Sequence, residues 1–147
     1  LNETGINALV AGEQGVSVSL VSGDDELERE VRATLGDRVV FVTTKIALNS
    51  NSAITFSPAK VRQLLQDGAR EAMRRERAGE LKPFTLARPY TVELTMRPSY
   101  PQKMIDAVAQ LEGYGLEKTG DRSWRFTAQD AKQVAYTLDA IEAVVLP

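Results

Sequence analysis

The four consecutive apolar residues Val39-Val40-Phe41-Val42 constrain the fold more than any other feature of this chain. A short unbroken apolar run is typical of a strand buried on both faces, as in a sheet covered by helices. The flanking segments supply such helices. Upstream, Leu27, Val31 and Leu35 recur at helical spacing, with Glu26 and Glu28 in the first turn and Gly36 closing the segment. Downstream, Ser57-Pro58 reads as a helix start with Ser as cap and Pro in the first turn. Val61, Leu64, Leu65, Ala72 and Met73 then carry that helix to about residue 78. A second strand comes earlier, where Val16, Val18 and Leu20 alternate with Ser17 and Ser19 and run into Val21. Before it, residues 3–14 read as a helix with Ile6, Leu9 and Val10 on one face and Gly12 and Gly15 at its end.

The order helix-strand-helix-strand-helix implies right-handed crossovers and a parallel sheet with helices against it. The style changes at Gly79-Glu80-Leu81-Lys82-Pro83, which reads as a linker. Tyr90, Val92, Leu94 and Met96 alternate with polar residues as a strand with one buried face. Ser99-Tyr100-Pro101-Gln102 resembles a capping box, continued as a helix by Met104, Val108 and Leu111. Residues 116–119 and 123–126 flank Gly120-Asp121 as a hairpin. Thr127 to Asp130 opens a last helix facing Val134, Leu138, Ile141 and Val145. Trp124 is expected in the core or at an interface. The expectation is an α/β part over residues 1–80 and a small α+β (βαββα) module over residues 81–147.

Composition bounds the chemistry. The 147 residues contain neither histidine nor cysteine, so a Ser-His-Asp triad, a Cys-His pair and an ordinary zinc site cannot be built from them alone. A net charge of −2 gives no basic footprint for nucleic acid. The cluster Arg74-Arg75-Glu76-Arg77 fits cations at a helix end. No stretch approaches a membrane span, and no signal peptide opens the chain, so a cytoplasmic location is the default. The chain begins with Leu1 directly before a helix, a start expected of a piece of a longer polypeptide.

Five residues are candidates for function. Glu3 and Asn7 lie four apart, so on a helix they share a face, with Gly5 between them leaving room for close approach. A first-turn carboxylate such as Glu3 otherwise complements the helix dipole. Asp24 and Asp25 sit where a strand passes into a helix, the edge at which open α/β sheets bind ligands. Asp there is also an ordinary cap. Lys45 follows the second strand at the same kind of edge, suited to a substrate carboxylate or an oxyanion, or else simply solvated. Asn49-Ser50-Asn51-Ser52 forms a loop over the site or a contact between subunits.

Residues 2–12, Asn-Glu-Thr-Gly-Ile-Asn-Ala-Leu-Val-Ala-Gly, resemble a segment of the dipeptide-operon D-aminopeptidases. That segment reads Gly-Glu-Leu-Gly-Leu-Asn-Ala before an apolar pair and Ala-Gly. The likeness continues in order through Gly23-Asp24-Asp25, Lys45, Ser57-Pro58-Ala59-Lys60, Lys82-Pro83 and Arg88-Pro89. The resemblance implies the C-terminal part of a three-layer parallel-sheet catalytic domain, followed by a module for oligomerisation or for covering the active site. It implies a zinc-dependent aminopeptidase with two zinc ions, acting on short D-amino-acid peptides within a ring-like homo-oligomer. It also implies that Glu3 is a metal ligand. The other ligands, an acidic pair and two histidines, and the catalytic histidine belong to an N-terminal half outside this sequence. This chain alone is therefore expected to be inactive, and a parallel sheet cut at its start to expose apolar surface. Asn7, one turn on, would orient Glu3, and Asp24 and Asp25 would meet substrate or support the ligands. The competing expectation is a non-catalytic assembly or peptide-binding domain that keeps the fold; a transport-linked binding component is a third.

Overall fold

A computed structural model describes residues 1–49 and 51–145, which form two compact units, Leu1–Thr85 and Leu86–Pro147. The change of unit falls after Thr85 rather than at residue 80, because Leu81 is buried and Phe84 packs beneath Gly12 in the first unit.

The first unit runs α1 (Glu3–Glu13), β1 (Leu20–Asp24), α2 (Asp25–Leu35), β2 (Val40–Asn49), β3 (Ser52–Thr55) and α3 (Pro58–Arg77). Its sheet has the order β1-β2-β3. β1 and β2 are parallel, joined through α2, and Leu20 pairs with Val40 at the start of the register. β2 and β3 are antiparallel. The all-parallel expectation is therefore corrected: the polar stretch after Leu48 turns the chain back onto β2. β3 escaped notice because it is four residues long and fully exposed, so no buried alternation marks it. β1 also begins at Leu20, later than the alternation from Val16 suggested.

Val40 and Val42 face Ala72, Leu64 and Leu65 of α3, with Leu20 beside them. Thr43, one step along β2 and so on its other face, donates its hydroxyl to Glu28 of α2. The fit of α3 onto the sheet depends on Gly68, where a Cβ would collide with Val42 Cγ2 and lie 3.2 Å from Leu20 Cδ1. Met73, expected on the buried face, is 53% exposed; Gly68 and Ala72 carry that face instead. The arginines at the end of α3 do more than meet its dipole. Arg74 binds Glu71 and Glu80, and Arg75 donates to the carbonyls of Asp37 and Arg38. Arg74 foremost, then Arg75, holds the Glu71 carboxyl down at about 2.

The second unit is β4 (Tyr90–Thr95), α4 (Gln102–Ala109), β5 (Glu117–Gly120), β6 (Ser123–Ala128) and α5 (Ala131–Val145), a βαββα module. Its sheet is antiparallel in the order β4-β6-β5. Trp124, Phe126 and Ala128 alternate into the core from β6, and Trp124 packs with Ile105, Val108, Ile141 and Val145. The capping box at Ser99 is not formed. The N-cap of α4 is Pro101, with no side-chain cap bond. A residue before proline is pushed toward extended backbone, so Tyr100 cannot open the helix and Ser99 falls too far upstream.

α1 packs through Gly5, Ala8, Leu9 and Gly12, a face of mostly small residues rather than the expected Ile6, Leu9 and Val10. A Cβ on Gly12 would meet the carbonyl oxygen of Phe84 head-on and lie 2.8 Å from its carbonyl carbon. Helix propensity alone predicts that Gly12→Ala stabilises the chain by about 0.5–1 kcal/mol. We expect the opposite, a loss of about 1–3 kcal/mol in urea unfolding, because backbone cannot yield as a side chain does. A rise in stability would show that the 80–85 segment does not press on α1.

Candidate functional site

The five candidate residues fall in two groups, both in the first unit. Asp24 and Asp25, at the C-terminal end of β1, come together with Lys45, which lies within β2 rather than after it as expected, because β2 runs on to pair with β3. Asp24 is the N-cap of α2: its Oδ1 accepts from Leu27 N–H at 2.9 Å. Its other oxygen, Oδ2, lies 3.8 Å from Lys45 Nζ. Of the two readings of Asp24, the cap is formed by one oxygen, and the other oxygen faces Lys45.

The strand register shifts at this point. Gly23 pairs with Thr43 but Asp24 pairs with Lys45, and Thr44 donates its hydroxyl to the carbonyl of Gly23 at 3.1 Å. Ala47 lies beyond the last β1 partner, and Asp25 Oδ1 accepts its N–H at 2.8 Å. Asp25 thus takes the place of a missing strand. A polar cleft of about 270 Å³ opens here, lined by Asp24, Lys45, Ala47, Asn49, Asn51, Ser52 and Ala53. Asn49 Oδ1 accepts from Asn51 N–H at 2.9 Å in the turn of the hairpin. Ser50 of the expected loop lies outside the described residues. The cleft offers one cation, one carboxylate oxygen not used by the cap, and several neutral polar groups.

Glu3 and Asn7 form the second group, one turn apart on α1 and both exposed. The start of α1 is fixed at two points. Asn2 Oδ1 accepts from Gly5 N–H at 2.9 Å, and Asn2 Nδ2 donates to Glu30 at 2.6 Å. The dipole reading of Glu3 holds for its position, since it is the acidic residue of the first turn. No hydrogen bond or ion pair among the described residues joins Glu3 or Asn7 to Asp24, Asp25 or Lys45.

A carboxylate oxygen is a zinc donor, so Glu3 suits a metal as one ligand. No group of three or more carboxylates that could complete such a site occurs among the described residues. Nor is any helix of the described residues long and apolar enough to cross a membrane.

The D-aminopeptidase family matches residues 1–140. The chain belongs to that family. This D-aminopeptidase family member also resembles a solved structure, the zinc-dependent D-aminopeptidase DppA from Bacillus subtilis, a self-compartmentalizing protease. The two share 24% identity at a TM-score of 0.84, over 99% of this chain and 51% of that one. At that identity the likeness speaks for the fold, and this chain spans about half the length of its structural relative. Comparison with curated protein sequences finds no match.

Glu28, read from sequence only as a first-turn acid, ties α2 to β2. It accepts from the Thr43 hydroxyl at 2.6 Å and pairs with Arg32 at 2.9 Å. The Thr43 bond foremost, then Arg32, holds its carboxyl below the ordinary value of 4.5. A lowered folded-state pKa stabilises the fold above 4.5, and that contribution disappears as pH falls through the folded value. Thr43→Val should cost about 1 kcal/mol at neutral pH, a charge-assisted bond discounted for partial exposure. Urea unfolding of both proteins from pH 7 to pH 3 should show that gap close on the acid side. A gap independent of pH would place the effect in packing instead.

Proposed function

We propose that this chain is the C-terminal portion of a metal-dependent, D-stereospecific aminopeptidase that releases N-terminal D-amino acids from short peptides. The observation that carries the proposal is the family match over residues 1–140, whose first residues contain an exposed glutamate on an anchored helix start. In this proposal the first unit is the C-terminal part of a three-layer catalytic domain. The second covers the active site or joins subunits of a homo-oligomer, as in a protease that encloses its own sites.

Glu3 would hold zinc together with ligands from the N-terminal half, in a two-ion centre. Zinc supplies, when bound, an acidified water and a polarised carbonyl. This chain's own residues do the positioning. The Asn2 cap and its bond to Glu30 fix the helix turn that presents Glu3. Asn7, one turn on, would orient the Glu3 carboxylate. Asp24 and Lys45 line a polar recess beyond the end of β1, the kind of edge where open α/β sheets receive ligands, and Asp25 holds Ala47 of its lining.

The test is to express the chain together with its native upstream segment and assay D-alanyl and L-alanyl anilides after chelation and after zinc is restored. We expect zinc-dependent, D-selective hydrolysis. Glu3→Ala should lower kcat/KM more than about 100-fold and reduce the zinc bound per chain. Failure to bind metal or cleave either isomer would reject the enzyme and leave an assembly or peptide-binding domain with the same fold.

A further inference from the structure

Glu30 lies outside both groups of candidate residues, yet it holds the start of α1. Its carboxylate accepts from Asn2 Nδ2 at 2.6 Å, and it forms no ion pair among the described residues. The other end of the Asn2 amide, Oδ1, accepts from Gly5 N–H at 2.9 Å. Both polar ends of one short side chain are therefore spent, one on α1 itself and one on α2, 28 positions away in sequence. Thr34, one turn along α2 from Glu30, meets the same helix start: a Cβ on Gly5 would lie 3.3 Å from Thr34 Cγ2. α2 thus contacts the first turn of α1 through two residues on one face, and Glu3 stands between Asn2 and Gly5 in that turn. The cap alone does not call for asparagine, because serine caps as well and glycine nearly so. What asparagine adds is an amide that caps with one atom and reaches a second helix with the other.

We propose that Glu30 is a positioning residue for metal binding by Glu3, acting through Asn2 and not by touching the metal. The inference rests on the reading of Glu3 as a metal ligand. Helix ends fray, so a donor in the first turn sits on backbone that moves unless it is anchored. The Asn2–Glu30 bond supplies an anchor from a second helix, beyond what the cap provides within α1. Partners that orient a ligand are typically worth about 10–100-fold in metal affinity, and the exposure of Glu30 sets its effect at the low end. Charge offers a competing account, since a carboxylate near a cation site raises affinity through space whatever it bonds. Chemistry separates the two. Glutamine at position 30 keeps the acceptor oxygen and loses the charge, whereas alanine loses both. Serine at position 2 keeps the cap and loses the reach to α2.

Zinc affinity tests this without requiring turnover. The polypeptide with its native upstream segment is stripped of metal and titrated with zinc against a competing chromogenic chelator. We expect Glu30→Ala to weaken zinc binding about 10-fold and Glu30→Gln to keep the affinity of the unaltered protein. Asn2→Ser should match Glu30→Ala, and the two combined should lose no more than either alone, because both remove one bond. Glu26→Ala, on the same helix and paired with Arg29, should change nothing. Amide hydrogen exchange of the metal-free protein gives a second readout. The N–H groups of Gly5 and Ile6, both bonded to Asn2, should exchange faster in Glu30→Ala and not in Glu30→Gln. A loss with glutamine as large as with alanine, or additive losses in the double variant, would overturn the proposal in favour of charge. Zinc binding that ignores every substitution at positions 2 and 30 removes the role of Glu30 and leaves Glu3 as a ligand. No zinc bound by the unaltered protein removes the ligand reading of Glu3 and this proposal with it. Zinc binding that depends on Glu30 without D-selective hydrolysis keeps the positioning role and rejects the peptidase.

Discussion

Asp25 accepts a hydrogen bond from the backbone of β2, and the architecture of the first unit depends on that bond. β1 ends at Asp24 because the chain turns into α2, yet β2 runs on to Asn49. A strand that outlives its neighbour exposes backbone donors, and a buried or half-buried N–H without a partner costs about 1–3 kcal/mol. Asp25 supplies that partner to Ala47 from the first turn of α2, at 2.8 Å. β2 can therefore continue as one arm of the β2–β3 hairpin, and the recess between that hairpin and the helix start becomes the candidate cleft. The same two adjacent aspartates cap the helix, meet Lys45 and extend the strand, all at the switch from strand to helix.

Close approach of backbone is the second constraint. α3 lies on β1 and β2 at Gly68, and α1 lies on the 80–85 segment at Gly12. At both positions a methyl group would have to displace its neighbour. One apolar cluster of this unit centres on Val40, Val42 and Ala72, with Leu20, Leu64 and Leu65 packed against it. Glycines at the contacts let the elements approach closely. Tethers then fix the geometry: Thr43 to Glu28 across α2, and Arg75 to the carbonyls of Asp37 and Arg38 at the end of α3.

The parts of the fold legible in the sequence are those governed by local rules. Asp24, Gly36 and Ser57-Pro58 mark helix ends by capping chemistry that acts within a few residues, and the structure places the helix boundaries there. The strand read at residues 123–126 is present, but β6 runs on to Ala128, because Thr127 and Ala128 pair with Thr91 and Tyr90 of β4 instead of opening the last helix. β3 was not legible because an exposed four-residue strand has no apolar period and is defined only by its pairing with β2. The Ser99 motif misled because Pro101 overrides it through backbone sterics that a spacing pattern ignores. In the candidate site, the placement of Asp24 and Asp25 at the end of β1 was legible from order alone, but Lys45, expected after the second strand, lies within β2, which runs on to Asn49. The division of labour among them was not, since the register shift that pairs Asp24 with Lys45 depends on tertiary hydrogen bonds.

The two groups of candidate residues differ in how their geometry is secured, and that difference bears on function. Asp24 and Asp25 are committed: each spends one oxygen on backbone, so their carboxylates cannot swing to follow a ligand. Groups held this way suit recognition, where a fixed charge sets orientation before the ligand arrives. Glu3 is exposed, while its helix start is pinned by the neighbouring Asn2. A side chain free in its rotamer on a fixed backbone suits a donor whose final geometry is imposed by a metal and by ligands from another segment. The chain thus carries a recess whose carboxylates are fixed by backbone and, on α1, an exposed carboxylate on a fixed helix turn.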